Sequence, residues 1–168
     1  FMIKKPLLRR ETRKLVEKKL AATPSTDDVL TSVYWEFSNQ EYMSNDAFTL
    51  DIINYIEDNK DNWNPNGIAI NNRKKVCIVY EAFITGFEQL RSNETVIDMS
   101  YLDEECRIDG VFQTDIKAYL TADNGKYFTN VELLRKIHNQ LAYKEFLEGL
   151  EYIETDGGTS IYRLMTGS

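Results

Sequence analysis

The stretch VCIVYEAFITGFEQL, residues 76–90, decides how the rest of the chain is read. Val76, Val79, Tyr80, Phe83, Ile84, Phe87 and Leu90 recur at the 3.6-residue period of a helix with one apolar side. The run VCIVY on its own also suits a buried strand. Continuation of the spacing to Leu90 predicts a helix, the core helix of the first half of the chain.

Working back toward the N-terminus, Ser44-Asn45-Asp46 has the composition of a helix cap, and Phe48, Ile52, Ile53 and Ile56 follow at helical spacing. Ser25 and Asp28 stand at capping-box spacing before Val29, Leu30, Val33, Tyr34 and Phe37, which predicts a helix to about Gln40. Pro6 is placed to open a further helix, with a narrow stripe of Leu8, Leu15, Val16 and Leu20 ending near Ala22. The expected fold is mainly α, beginning with a bundle of about four helices. Residues 1–22 form a basic amphipathic arm and 23–108 a helical domain.

Beyond Leu90 the periodicity weakens. RSNETVIDMSYLDEECRIDG, residues 91–110, reads as a turn-rich connector with a boundary near Asp109 and Gly110. Residues 109–168 then form a second domain. Val111, Phe112, Ile116, Tyr119 and Leu120 suggest one helix, and TNVELLRKIHNQ (129–140) a second, with Thr129 as cap. AYKEFLEGL (142–150) suggests a third. Asp156-Gly157-Gly158 supplies the positive φ angles of a hairpin turn between YIET and TSIYRL.

The order of helix, short strand, helix, helix and hairpin resembles a winged-helix domain, a helix-turn-helix variant. The residues that carry the resemblance are Val131, Leu134 and Ile137, then Phe146, Leu147 and Leu150, then Tyr152, Ile153, Ile161, Tyr162 and Leu164. It covers about the last third of the chain. It implies DNA binding by the third helix in a major groove, and a role in transcription regulation. That helix carries Lys144 against Glu145, Glu148, Glu151 and Glu154, and carboxylates weaken contact with phosphates. Arg135 and Lys136 on the preceding helix and Arg163 on the wing are the better nucleic-acid contacts. Winged helices also serve as protein–protein modules, which an acidic third helix suits.

Charge divides the chain unevenly. Residues 1–22 hold Lys4, Lys5, Arg9, Arg10, Arg13, Lys14, Lys18 and Lys19 against Glu11 and Glu17, so 8 − 2 = +6, and the remainder sums to −7 − 6 = −13. Such asymmetry points to a basic arm meeting an anionic partner or the acidic body of its own protein. A membrane partner is not expected, because the apolar side of the arm is narrow and lacks Trp or Phe. FMIKKPLLRRETRKL has no apolar segment after its charges, which is not a signal-peptide pattern. Cys77 and Cys106 are far apart and fit free thiols in the cytoplasm. The Asn-, Ile-, Lys- and Tyr-rich composition fits an AT-rich coding source such as a phage or mobile element.

Motifs that carry chemistry are weak. DNWNPNGIAINNR (61–73) places Asn62, Asn64, Asn66 and Gly67 at EF-hand spacing. Asn stands where the first Asp belongs, Pro65 stiffens the loop, and Arg73 falls where a bidentate Glu is required, so a polar turn is the better reading. His138 is the only histidine and reads as a surface or partly packed residue. One histidine with two scattered cysteines cannot form an ordinary zinc site. Cys106 beside Asp103, Glu104 and Glu105 is a poor nucleophile. That cluster and Asp27-Asp28 read as solvated acidic surface. Tyr42 and Trp63, in turn-like segments, are candidate exposed anchors for a partner. No phosphate-loop, dinucleotide or nucleophile-elbow motif is present.

The sequence therefore leads to a non-enzymatic protein without metal or cofactor. The first expectation is a nucleic-acid-associated regulatory or adaptor protein with a protein partner. Its contacts would be the eight arm cations with Arg135, Lys136 and Arg163. The alternative is a purely protein-binding module, an acidic-surface inhibitor or assembly factor.

Overall fold

The computed structural model describes residues 29–31, 33–56, 63–141 and 146–167. Among these the chain is built mostly of strands, and the mainly α expectation is overturned. The strands are β1 (Trp35–Glu36), β2 (Ile68–Ile70), β3 (Lys75–Ile84), β4 (Glu94–Val96), β5 (Phe112–Thr121), β6 (Phe128–Thr129), β7 (Phe146–Asp156) and β8 (Thr159–Gly167). Among the described residues two α-helices accompany them, α1 (Asn45–Tyr55) and α2 (Asn130–Gln140).

The described residues divide into two compact units, one of residues 79–118 and one formed by those of 29–78 with those of 119–167. Strands β3 and β5 run from one unit into the other. In the larger unit the strand order is β1-β7-β8-β3, and a separate antiparallel pair joins β2 to β6. In the smaller unit the order is β3-β5-β4, with β4 antiparallel to β5.

Residues 76–84 form a strand because Val76 through Tyr80 are buried consecutively, as in a strand covered on both faces. From there the pattern changes to period two, with Glu81 and Phe83 exposed and Ala82 and Ile84 buried. The helical stripe that reached Leu90 joined this strand to a short 3-10 turn, Phe87–Gln89. The expected helix over 111–120 is likewise β5. Phe112, Thr114, Ile116, Ala118 and Leu120 are buried while the residues between them are not. Residues 33–37 also alternate, with Val33, Trp35 and Phe37 buried, so no helix continues to Gln40.

The winged-helix resemblance fails on the same ground. Its first helix is β5, and its third is replaced from Phe146 onward by β7. The terminal hairpin is present but longer, with Phe146 opposite Gly167 and the turn at Gly157 and Gly158, whose φ values are 53° and 83°. No helix-turn-helix exists among the described residues, and the expectation of DNA binding and transcription regulation that followed from it loses its basis.

Two helices were read from their caps, and both caps are present. Ser44 Oγ accepts from Ala47 N at 3.2 Å, and Thr129 Oγ1 accepts from Glu132 N at 3.3 Å. The polar 61–73 loop has a structural use from Trp63 onward. The carbonyls of Pro65 and Gly67 accept the backbone N–H groups of Val131 and Asn130, which a helix start would otherwise leave unpaired. Asn130 Nδ2 also donates to the carbonyl of Asn64 at 2.8 Å.

Candidate functional site

The eight arm cations, Asp27 and Asp28 lie outside the described residues. Arg135 and Lys136 lie on α2 and make several contacts within the chain. Arg135 Nε donates to Asn45 Oδ1 at 2.7 Å, Nη1 to the Tyr42 carbonyl at 3.3 Å and Nη2 to Asp123 Oδ2 at 3.4 Å. Lys136 Nζ donates to Asp123 Oδ1 at 2.7 Å and lies 3.8 Å from Glu132. Glu132 is itself buried and accepts from Asp123 N at 2.6 Å. These charges tie α2 to α1 and to the turn before α2. Arg163 lies opposite Glu151 in the β7–β8 hairpin, with its Nε buried and without a hydrogen-bond partner.

His138, expected at or near the surface, is fully buried. It sits among Trp35, Phe37, Tyr42 and Phe48, with ring centroids between 5.1 and 5.9 Å. Trp35 Nε1 donates to its Nδ1 at 2.9 Å, and the opposite nitrogen faces the Gln40 carbonyl at 2.7 Å. An indole N–H can only donate and a carbonyl can only accept, so the neutral ring carries its proton on Nε2. Burial lowers the His138 pKa below 6.5, outweighing the carbonyl, which acts to raise it. Both nitrogens are engaged in packing the core, which is a structural role.

Tyr42 and Trp63, expected as exposed anchors, are buried as well. Tyr42 donates from its hydroxyl to Asp51 Oδ2 at 2.7 Å. Burial first, then Asp51, pushes its pKa up to about 12. Its backbone N–H and carbonyl are both bonded by the Asn139 amide, at 2.9 and 2.8 Å.

The smaller unit differs. Between β3 and β5 the chain makes an excursion, residues 85–111, in which no residue is buried. Phe87, Met99 and Ile108 expose 52%, 55% and 66% of their surface, and Phe83 at the end of β3 exposes 59%. The larger unit also has exposed apolar residues, Met43 and Leu50 among them, but Leu50 shares α1 with buried Phe48 and Ile52. Scattered apolar exposure on a packed element is ordinary; the excursion differs in having no buried residue beside its exposed apolar ones.

The excursion is held by local polar bonds. Thr85 N donates to Gln89 Oε1 at 2.6 Å. Tyr80 donates to the Glu94 carboxylate, which also accepts Arg91 N at 2.7 Å. The Asp98 carboxylate caps a 3-10 turn, Met99–Leu102, through Ser100 N at 2.9 Å and Ser100 Oγ at 2.7 Å. A second turn, Glu104–Cys106, leads to a two-residue hairpin loop at Asp109 and Gly110, with φ of 51° and 84°. Residues 108 and 111 exchange both backbone bonds there, at 2.8 and 3.0 Å.

Charge gives this surface its chemistry. Residues 79–118 contain Glu81, Glu88, Glu94, Asp98, Asp103, Glu104, Glu105, Asp109 and Asp115 against Arg91, Arg107 and Lys117, so 3 − 9 = −6. Arg107 Nε lies 3.1 Å from Glu104. The sequence signals for this surface were weak periodicity coinciding with dense acids, and the Asp-Gly pair at 109–110 that makes a tight hairpin rather than a linker.

Among the described residues, no group of three or more His, Cys, Asp or Glu side chains is placed to hold a metal ion. No helix there is long and apolar enough to cross a membrane. Comparison with known protein families, curated proteins and solved structures finds no match to this chain.

Proposed function

We propose that this chain is a protein-binding module whose acidic, apolar 85–111 excursion takes a basic amphipathic partner, as in an inhibitor or assembly factor. The observation that carries the reading is a segment with no buried residue that exposes Phe87, Met99 and Ile108 within residues 79–118, which sum to −6. Exposed apolar side chains give a partner contact area, and surrounding carboxylates select for Lys and Arg and speed encounter. The nucleic-acid alternative rests mainly on the arm cations, outside the described residues. The free thiols of Cys77 and Cys106 support a reducing compartment, and we place the protein in the cytoplasm.

The test uses the whole chain and a fluorescein-labelled amphipathic peptide made only of lysine and leucine. Fluorescence anisotropy should show saturable binding that weakens as salt rises, and F87S/M99S/I108S should reduce it at least about tenfold, from lost apolar contact. Undiminished binding by that variant, or equal binding of a lysine–serine peptide of the same charge, would reduce the contact to unspecific charge and end the proposal.

A further inference from the structure

We infer that the 85–111 surface is occupied, in the free protein, by the chain's own residues 1–22, which a basic partner must displace. The inference rests on the protein-binding reading above and names the regulation of the same surface. Its ground is complementarity of two kinds. Residues 1–22 sum to +6 and residues 79–118 to −6. The acids are concentrated there, because residues 23–78 and 119–168 together, 106 residues against 40, sum to −7. The segment also carries Leu8, Leu15, Val16 and Leu20 among its cations, and the excursion offers Phe87, Met99 and Ile108 among its acids. Each side thus presents apolar groups and the charge that the other lacks.

The tether makes this occupant more effective than its bare affinity. Val29, seven residues beyond Ala22 at the end of the arm, is fixed to the fold. Its N–H and carbonyl are bonded to Leu150 at 3.1 and 2.8 Å. A segment joined to a fixed point binds within its own chain, at an effective concentration set by the length of its connection. A free partner of similar chemistry then competes against that concentration, so the arm sets the threshold at which the surface becomes available.

The experiment compares full-length wild type with L8S/L15S/L20S, which removes the apolar stripe and keeps all eight cations and the net charge of −7. The probe is a fluorescein-labelled synthetic peptide of residues 1–22, followed by anisotropy. The variant should bind the probe at least about tenfold more tightly than wild type, because its own arm no longer competes. Adding F87S/M99S/I108S to that variant should abolish the gain, and a gain that survives would place the probe elsewhere and overturn the inference. Equal affinity of wild type and the arm variant would overturn the inference while leaving the protein-binding reading intact. Absence of binding to either chain would overturn both. The gap should be the same at low and high protein concentration. A gap confined to high concentration would assign the surface to a second copy's arm instead.

Discussion

The larger unit and the 85–111 excursion use the same residue types to opposite ends. Around His138, polar groups are paired inward: the Trp35 indole N–H, the Asn139 amide and the Arg135 guanidinium each bond within the chain. Phe48, Ile52, Phe128, Leu133, Leu134 and Ile137 have essentially no exposed surface. In the excursion many polar bonds join residues a few positions apart, Thr85 with Gln89 and Ser100 with Asp98 among them, while Phe87, Met99 and Ile108 remain outside. The first region is stable by burial. The second has its shape fixed by turns and caps and leaves its apolar side chains exposed. A fold can therefore shape a surface without burying it.

The largest expected effect tests the first half of that contrast. Phe48→Ala removes a fully buried ring that meets Trp35 and Tyr42 edge-on, at centroid distances of 5.2 and 4.8 Å. It should cost about 3–5 kcal/mol in urea unfolding. A cost below about 1 kcal/mol would mean the aromatic cluster is not a core. Gly149→Ala comes next. Gly149 has φ of 148°, and an added Cβ would lie 3.1 Å from Thr31 Cα and 3.1 Å from Met165 Cε. Strain and crowding together should cost about 1–3 kcal/mol, and unchanged stability would remove the close approach of residue 31 to β7.

A smaller effect follows from the buried imidazole. The folded His138 pKa lies below its ordinary 6.5, so the unfolded chain binds the proton more readily. Its contribution to stability is complete above pH 6.5 and is lost as pH falls through that value toward the folded pKa. Between pH 7.5 and 5.5, unfolding free energy should fall with a slope of at most about 1.4 kcal/mol per pH unit. A flat profile would contradict the neutral, doubly bonded ring. The smallest effect belongs to the excursion: Phe87→Ala should change stability by no more than about 0.5 kcal/mol. A loss approaching that of Phe48→Ala would erase the difference between the two regions.

What could be read beforehand was local chemistry. Ser44 and Thr129 announced α1 and α2 because a cap is a short-range device, and Gly157-Gly158 announced a hairpin for the same reason. The strands were misread where burial depended on distant neighbours. Val76–Tyr80 is apolar without a period because both of its faces are buried, and that run coincides with a helical stripe. In β5 the alternation from Phe112 to Leu120 was present in the sequence, but Thr114 and Ala118 on its buried side are small or polar and did not register as core. The acids of the excursion were visible as composition. That Phe87, Met99 and Ile108 stand exposed among them depends on the three-dimensional arrangement.

The pairing of β1 with β7 has a consequence for how the chain is made. Trp35 lies opposite Leu147, Val29 bonds to Leu150, and the Trp35–His138 contact spans 103 positions. As synthesis proceeds from the N-terminus, residues 29–42 emerge long before the strand and helix that cover them. Their apolar side chains must stay in water, or with a chaperone, until about the 150th residue has left the ribosome. Closure over such separations also slows folding. The larger unit should therefore form late and all at once, and a chain cut short before β7 would lack the strand that seals its core.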